Sequence, residues 1–261
     1  MIPKLQPDPN LSFYNRNAEQ LAQQYDSKPF TEVHQSWSHH LADIFVALAA
    51  HSSANSSTNL LATQAHAITY SQQLQILDIG AGTGRDAKYL AELANAQQQV
   101  TVYAVEPATE LAAIGKQHTK DLAVIWLEDT LPELKQVTAA NIKFDLILLS
   151  AVWMHIPSAE RLTALTQLSQ LLAPQGKLII TLRHGPSGDE RIMHSVSIQE
   201  LALLSQQLGL SIIDSISAET DKLGRAEVSW ETVVIQFSPA VTAKATAQFD
   251  ANSLKTAEQA K

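Results

Sequence analysis

At 261 residues, 45% hydrophobic and 17% charged, the chain can bury one sizeable core and has the composition of a folded globular protein, which argues against disorder. A formal charge of −8, with the 18 Lys and Arg scattered and no basic patch, argues against a nucleic-acid partner, whose phosphates would be repelled. The absence of cysteine removes disulfides, thiolate metal sites and cysteine nucleophiles.

Residues 1–10 are proline-rich, with no apolar core of the kind a signal peptide needs. The longest apolar runs elsewhere fall far short of the roughly 20 residues that cross a bilayer. A cytoplasmic protein without a membrane partner is expected. Phe13, Tyr14, Ala18, Leu21, Ala22 and Tyr25 recur at helical spacing and predict a helix over Leu11 to Tyr25, ended by Pro29. A second helix is predicted from Thr31, a capping residue, with Val33, Trp37, His40, Leu41, Ile44, Phe45 and Leu48 on one side. The stretch His51 to Asn59 is Ser, Asn, Thr and Ala with nothing to bury, and reads as a linker.

Leu74, Ile76, Leu77 and Ile79 form a short apolar run suited to a buried strand. Gly80, Gly82 and Gly84 follow, and then a helix-favouring segment from Asp86. Strand, glycine turn and helix in that order let a ligand approach bare backbone and face the amides that open the helix. The glycines alternate, and Arg85 occupies the place of the third glycine of a dinucleotide fingerprint, so a nicotinamide site is disfavoured. No Gly-Lys-Ser/Thr follows, so a P-loop is absent as well.

The string from Asp78 to Gly84, Asp-Ile-Gly-Ala-Gly-Thr-Gly, resembles motif I of the class I S-adenosylmethionine-dependent methyltransferases. The resemblance extends over roughly Leu74 to Phe237. It implies an α/β, Rossmann-like three-layer sandwich: a seven-stranded, mostly parallel sheet closed by an antiparallel hairpin, with an amino-terminal helical lid. The expected organisation is a lid and linker over residues 1–59, an S-adenosylmethionine-binding domain over 60–238, and a flexible tail over 239–261. A helical pair packed on the sheet edge is the other reading of the amino-terminal segment. The segments Leu182 to Glu200 and Asp221 to Trp230 resemble a set of bacterial methyltransferases.

In the resemblance, Asp78, Gly80, Ala81 and Gly82 belong to the turn that holds the methionine part of the cofactor. A β-rich run from Val100 ends in Glu106 and Pro107, about 20 residues after the turn, where a carboxylate accepts the two ribose hydroxyls. Pro107 fits a helix start. Asp129, with Thr130 beside it, matches the acid that receives the adenine amino group, with Glu128 competing. Asp145 to Ser150 resembles motif IV, with Ser150 closing the strand near the sulfonium. No Asn-Pro-Pro-Tyr or Asp-Pro-Pro-Tyr stands there, which disfavours amino groups of nucleic acids.

Pro174 to Gly176 reads as a turn, and Lys177 to Leu182 as a strand that delivers Arg183 and His184 to the ligand-facing edge. That basic pair could receive an acidic substrate or could pair with Asp189 or Glu190. Ser197 and Glu200 form a capping-box pattern ahead of a helix ended by Gly209. If the acceptor arrives protonated, His155 and His184 are the candidate general bases, while Trp37 and His40 are further candidates for the substrate wall. His34 and His39 on the same helix could also face the pocket. No metal-ligand spacing appears. The expected activity is methyl transfer from S-adenosylmethionine to an O or N atom of a small molecule, releasing S-adenosylhomocysteine. The alternative is a cofactor-binding regulator or scaffold without transferase activity.

Overall fold

The computed structural model describes residues 8–45, 72–96 and 98–239. Among them, β1 (Gln72–Ile79), β2 (Gln98–Val105), β3 (Val124–Leu127), β4 (Phe144–Leu149) and β5 (Leu172–His184) run parallel. β6 (Leu210–Thr220) and β7 (Ser229–Phe237) pair antiparallel, and β7 inserts between β5 and β6. The seven strands stand in the order β3-β2-β1-β4-β5-β7-β6. The expected parallel sheet with a closing hairpin is the one that forms.

Period-two alternation divides the strand residues between two cores. Leu77, Ile79, Ile147 and Leu149 face helices α6 (Lys135–Ala139), α7 (Ser158–Leu171) and α8 (Ile198–Gln207), meeting side chains such as Leu165, Leu168 and Leu201. Leu74, Ile76, Leu146 and Leu148 face the opposite layer. There they meet Ala87 and Leu90 of α4 (Arg85–Glu92) and the amino-terminal residues Phe30, Trp37 and Ile44. Each such Leu or Ile, fully buried, contributes about 1.5–3 kcal/mol. Three layers therefore follow from strands that are apolar on both sides.

The amino-terminal helices depart from the expected pair. The first splits into α1 (Pro9–Arg16) and α2 (Ala18–Asp26) at Asn17, whose amide Nδ2 donates to the Phe13 carbonyl and competes with the helical ladder. The second begins as α3 (Phe30–Val33), passes through turns at residues 34–39 and is helical again at residues 40–45. Helices α1 and α2 pack on α5 (Thr109–His118) through Ala18, Leu21 and Leu111. Residues 30–45 lie on a sheet face, pinned at the far side by the Lys177 ammonium, which donates to Asp43 (2.9 Å) and to Nδ1 of His40 (3.1 Å). That leaves Nε2 of His40 to donate to Asp214 (3.0 Å).

Residues 174–176, expected as a turn, lie inside the 13-residue β5 at a register shift against β4. A Cβ on Gly176 would stand 2.6 Å from the Phe144 carbonyl, so the glycine serves close strand approach. Ser197 caps α8 by accepting from the Glu200 amide (3.1 Å). The Glu200 carboxylate does not return to the cap and pairs instead with the buried Arg161. No described helix is long and apolar enough to cross a membrane. The linker expected at 51–59, the tail beyond residue 239 and Leu48 lie outside the described residues.

Candidate active site

A cavity of about 700 Å³ opens at the carboxyl ends of the parallel strands, where open α/β sheets place their ligands. The glycine turn forms its floor, Ser150, Thr181 and Arg183 one wall, and Tyr14 of α1 and Tyr25 of α2 its roof. The β6–β7 loop closes the side.

The glycines divide their work. Gly80 has φ +70°, and a Cβ there would meet Val152 Cγ2 at 2.4 Å, so this position serves folding. Gly82 has φ +54°, but its imagined Cβ meets nothing nearer than Tyr25 Cδ2 at 3.9 Å, leaving bare backbone beside open space. The turn is held by the Gly80 and Ala81 amides, which donate to the Val105 carbonyl at 2.8 and 3.0 Å. Glu106 then bridges two elements: Oε2 accepts from the Gly82 amide and Oε1 from the Ala108 amide, both at 2.8 Å. Burial pushes the Glu106 carboxyl above its usual range, and those two amides work against the shift. Each oxygen keeps acceptor capacity toward the cavity. Pro107 lies on the wall, while α5 opens at Thr109, two residues later than the proline suggested.

Asp78 is buried behind the turn, off the cavity wall, and its Oδ2 has no hydrogen-bond partner. Burial and the neighbouring Asp86 push its carboxyl well up. Burial also opposes the charge on Asp86, yet His34 and Arg85 outweigh it and hold that carboxyl below the usual range. His34 Nε2 lies 2.8 Å from Asp86 Oδ2, and Trp37 Nε1 donates to His34 Nδ1 at 2.9 Å. An indole can only donate, so Nδ1 is the acceptor and Nε2 carries the hydrogen toward Asp86.

Trp37, expected on the substrate wall, is thus a core residue, and His40 is pinned on the sheet at Lys177. The histidine that this segment brings to the cavity is His34. His39 is exposed at the far edge.

Asp129 and Thr130 reach the wall, but the acid is already engaged. Its oxygens accept from the amides of Thr130, Lys135, Gln136 and Val137 at 2.6–3.1 Å, capping α6. A carboxylate offers about four such sites. Asp129 therefore shapes the loop, and Glu128 is exposed and off the wall.

Past Ser150, a 3-10 turn at Trp153–His155 delivers His155 to the cavity. Its Nδ1 lies 3.2 Å from the Ile192 carbonyl and 3.3 Å from the Asn10 amide nitrogen, and its Nε2 lies 2.9 Å from the Tyr14 hydroxyl; in the tautomer whose Nδ1 donates to the carbonyl, Nε2 receives the hydroxyl hydrogen. Arg191 donates to the same hydroxyl oxygen at 3.3 Å, its guanidinium 5.5 Å from the Tyr14 ring centroid. Burial pushes His155 below and Tyr14 above their ordinary values. No spacing in the sequence signals this triad, since Tyr14 and His155 are 141 positions apart.

Arg183 and His184 are not a pair. Alternation along β5 puts Arg183 with Thr181 on the cavity face and turns His184 to the other, where its Nε2 is 2.8 Å from Glu231. In place of His184, Arg191 and Arg225 stand on the wall.

Residues 76–176 match the family described as methyltransferase domain. That stretch is a methyltransferase domain. Its fold is shared with the magnesium protoporphyrin IX methyltransferase of Synechocystis, solved with bound S-adenosylmethionine: TM-score 0.55, 13% identity, 91% of this chain and 100% of that one. An S-adenosylmethionine-dependent methyltransferase of Clostridium acetobutylicum gives TM-score 0.54 at 13% identity over 87% of this chain and 99% of that one. The 1,6-didemethyltoxoflavin-N1-methyltransferase of Burkholderia thailandensis gives 0.50 at 17% over 91% and 93%. No curated protein matches the chain.

Proposed function

We propose that the protein transfers a methyl group from S-adenosylmethionine to an oxygen or nitrogen of a small molecule. The observation that carries this reading is the clamp of Glu106 on the Gly82 amide, beside the open face of that glycine. The arrangement fits the cofactor: a bare turn for its amino-acid part and a buried carboxylate with free lone pairs for two vicinal hydroxyls. When bound, S-adenosylmethionine supplies a methyl group on a sulfonium, open to in-line attack. The turn from Gly80 to Gly82 and Ser150 fix the methyl donor, Thr130 borders the base, and Asp129 keeps that loop in place. Tyr14 and Tyr25 exclude water from above, and α1 with α2 act as the lid. Alignment is the main contribution, since reactants held at ~3 Å already gain several kcal/mol. Where the acceptor is protonated, the Tyr14 oxygen takes its proton as the Tyr14 hydroxyl hydrogen passes to His155 Nε2, leaving a neutral tyrosine and a histidinium, with Arg191 holding the Tyr14 oxygen in place.

Calorimetric titration with S-adenosylmethionine, S-adenosylhomocysteine and NAD tests the reading. Micromolar binding of the first two, lost in Glu106→Ala and absent for NAD, is expected. Binding of NAD alone, or of none of them, would overturn it.

A further inference from the structure

Arg183 is 5% exposed and lines the cavity. The chain has six arginines, and each of the other five, Arg16, Arg85, Arg161, Arg191 and Arg225, lies within ion-pair distance of a carboxylate. Arg183 has none among the described residues. Its Nη1 and Nη2 donate to the Gly185 and Pro186 carbonyls at 3.0 and 2.7 Å, and its Nε donates to nothing. A guanidinium cannot shed its proton, so the charge stays. A buried charge without a counterion is costly.

The acids of this corner do not supply that counterion: Glu219, across β7, accepts from the Thr232 hydroxyl and makes no ion pair with Arg183. Asp189 is taken by both ends of the Arg191 guanidinium and by its amide. Asp221 accepts two bonds from Arg225, one from Trp230 Nε1 and two from backbone amides. Burial, followed by the charges of Arg225 and Arg191, disfavours the Arg183 cation. Of the three arginines in this corner, Arg183 alone has no carboxylate at contact distance among the described residues.

We propose that Arg183 anchors a carboxylate carried by the methyl acceptor. The inference rests on the methyltransferase reading and names the substrate class of that same site. The anchor is suitably distant from the reacting end. Thr181 Oγ1 accepts from the Ala151 amide at 2.8 Å, next to Ser150. Arg183 is two residues further along the same strand face, roughly 7 Å at the usual rise. The acceptor is therefore a small acid whose carboxylate and methylated atom sit at opposite ends, as across a six-membered ring. The planar fork of the guanidinium takes a carboxylate with two parallel bonds.

The test titrates protein saturated with S-adenosylhomocysteine with benzoate and with benzamide, its uncharged isostere. Benzoate is expected to bind at least about tenfold more tightly, roughly 1.4 kcal/mol. Arg183→Gln should abolish that preference and Arg183→Lys restore part of it, with S-adenosylhomocysteine affinity reporting that each variant is folded. Equal affinity for the two probes, no saturable benzoate binding to cofactor-loaded protein, or a preference that survives in a folded Arg183→Gln protein would each overturn the proposal. Failure to bind S-adenosylhomocysteine at all would instead remove the methyltransferase reading on which it stands.

Discussion

Glu106 shows how one side chain can join two elements and, in the proposed function, also receive the ligand. Both oxygens accept from backbone N–H groups, Gly82 on one side and Ala108 on the other. Glu106→Gln must therefore turn an NH2 group toward one of those amides, leaving a buried donor unmatched at about 1–3 kcal/mol. Its affinity for S-adenosylhomocysteine should fall roughly tenfold or more, read by calorimetry. The Tyr14–His155 pair makes a second residue-scale prediction. Burial lowers the His155 value, so the ring is neutral and able to accept a proton at neutral pH. As pH falls through that lowered value the ring is protonated and the relay stops, so kcat/KM should drop on the acid side below the ordinary histidine value of about 6.5. Tyr14→Phe should lower kcat roughly 100-fold with little change in KM and flatten that acid limb. A limb unchanged in Tyr14→Phe would make the pair purely structural.

Among the elements, the glycine turn assigns different roles to chemically identical positions. Gly80→Ala drives a methyl group into Val152, so its expected effect is loss of folded protein, measured by thermal melting. Gly82→Ala meets open space and bears mainly the strain of positive φ, about 1–2 kcal/mol. It should melt much nearer the wild type yet lose cofactor affinity, because its methyl group enters the space the ligand needs. The reverse ranking in binding and melting would sink the division. Helix α2 is tied to this turn by Thr83, whose hydroxyl donates to Asp26 at 2.7 Å, and by Arg85, which donates to the Tyr25 carbonyl at 3.2 Å. Arg85, conspicuous in the sequence because it breaks a dinucleotide fingerprint, holds the roof against the floor.

For the molecule as a whole, the cavity is walled by segments far apart in the chain: α1 and α2, the strand ends and the β6–β7 loop. A ligand there bridges all three. S-adenosylhomocysteine at 100 times its Kd should add about 2.7 kcal/mol of stability. For a chain of this size that is a rise of roughly 5–11 °C in melting temperature. Amide exchange should slow in α1 and α2 as well as at the glycine turn. Protection confined to the turn would show that the roof takes no part in binding.

The sheet, the glycine turn and the carboxylate that clamps the turn were legible in the sequence. Those rest on local signals: apolar runs with period two, glycines where φ must be positive, and an acid at a fixed distance after a strand. The capping role of Asp129 was not legible, because it depends on amides six to eight positions ahead. Trp37 and His40 look alike on a helical wheel with the residues around them, and only docking against α4 and the sheet decided that one fills the core and the other binds Lys177. Arg183 and His184 are adjacent in the chain, yet the pleat of β5 separated them. The Tyr14–His155 contact and the unpaired charge of Arg183 exist only after the amino-terminal helices and the hairpin close over the strand ends. Local chemistry fixed the floor of the site; the neighbours that give each polar group its partner, or deny it one, came from tertiary packing.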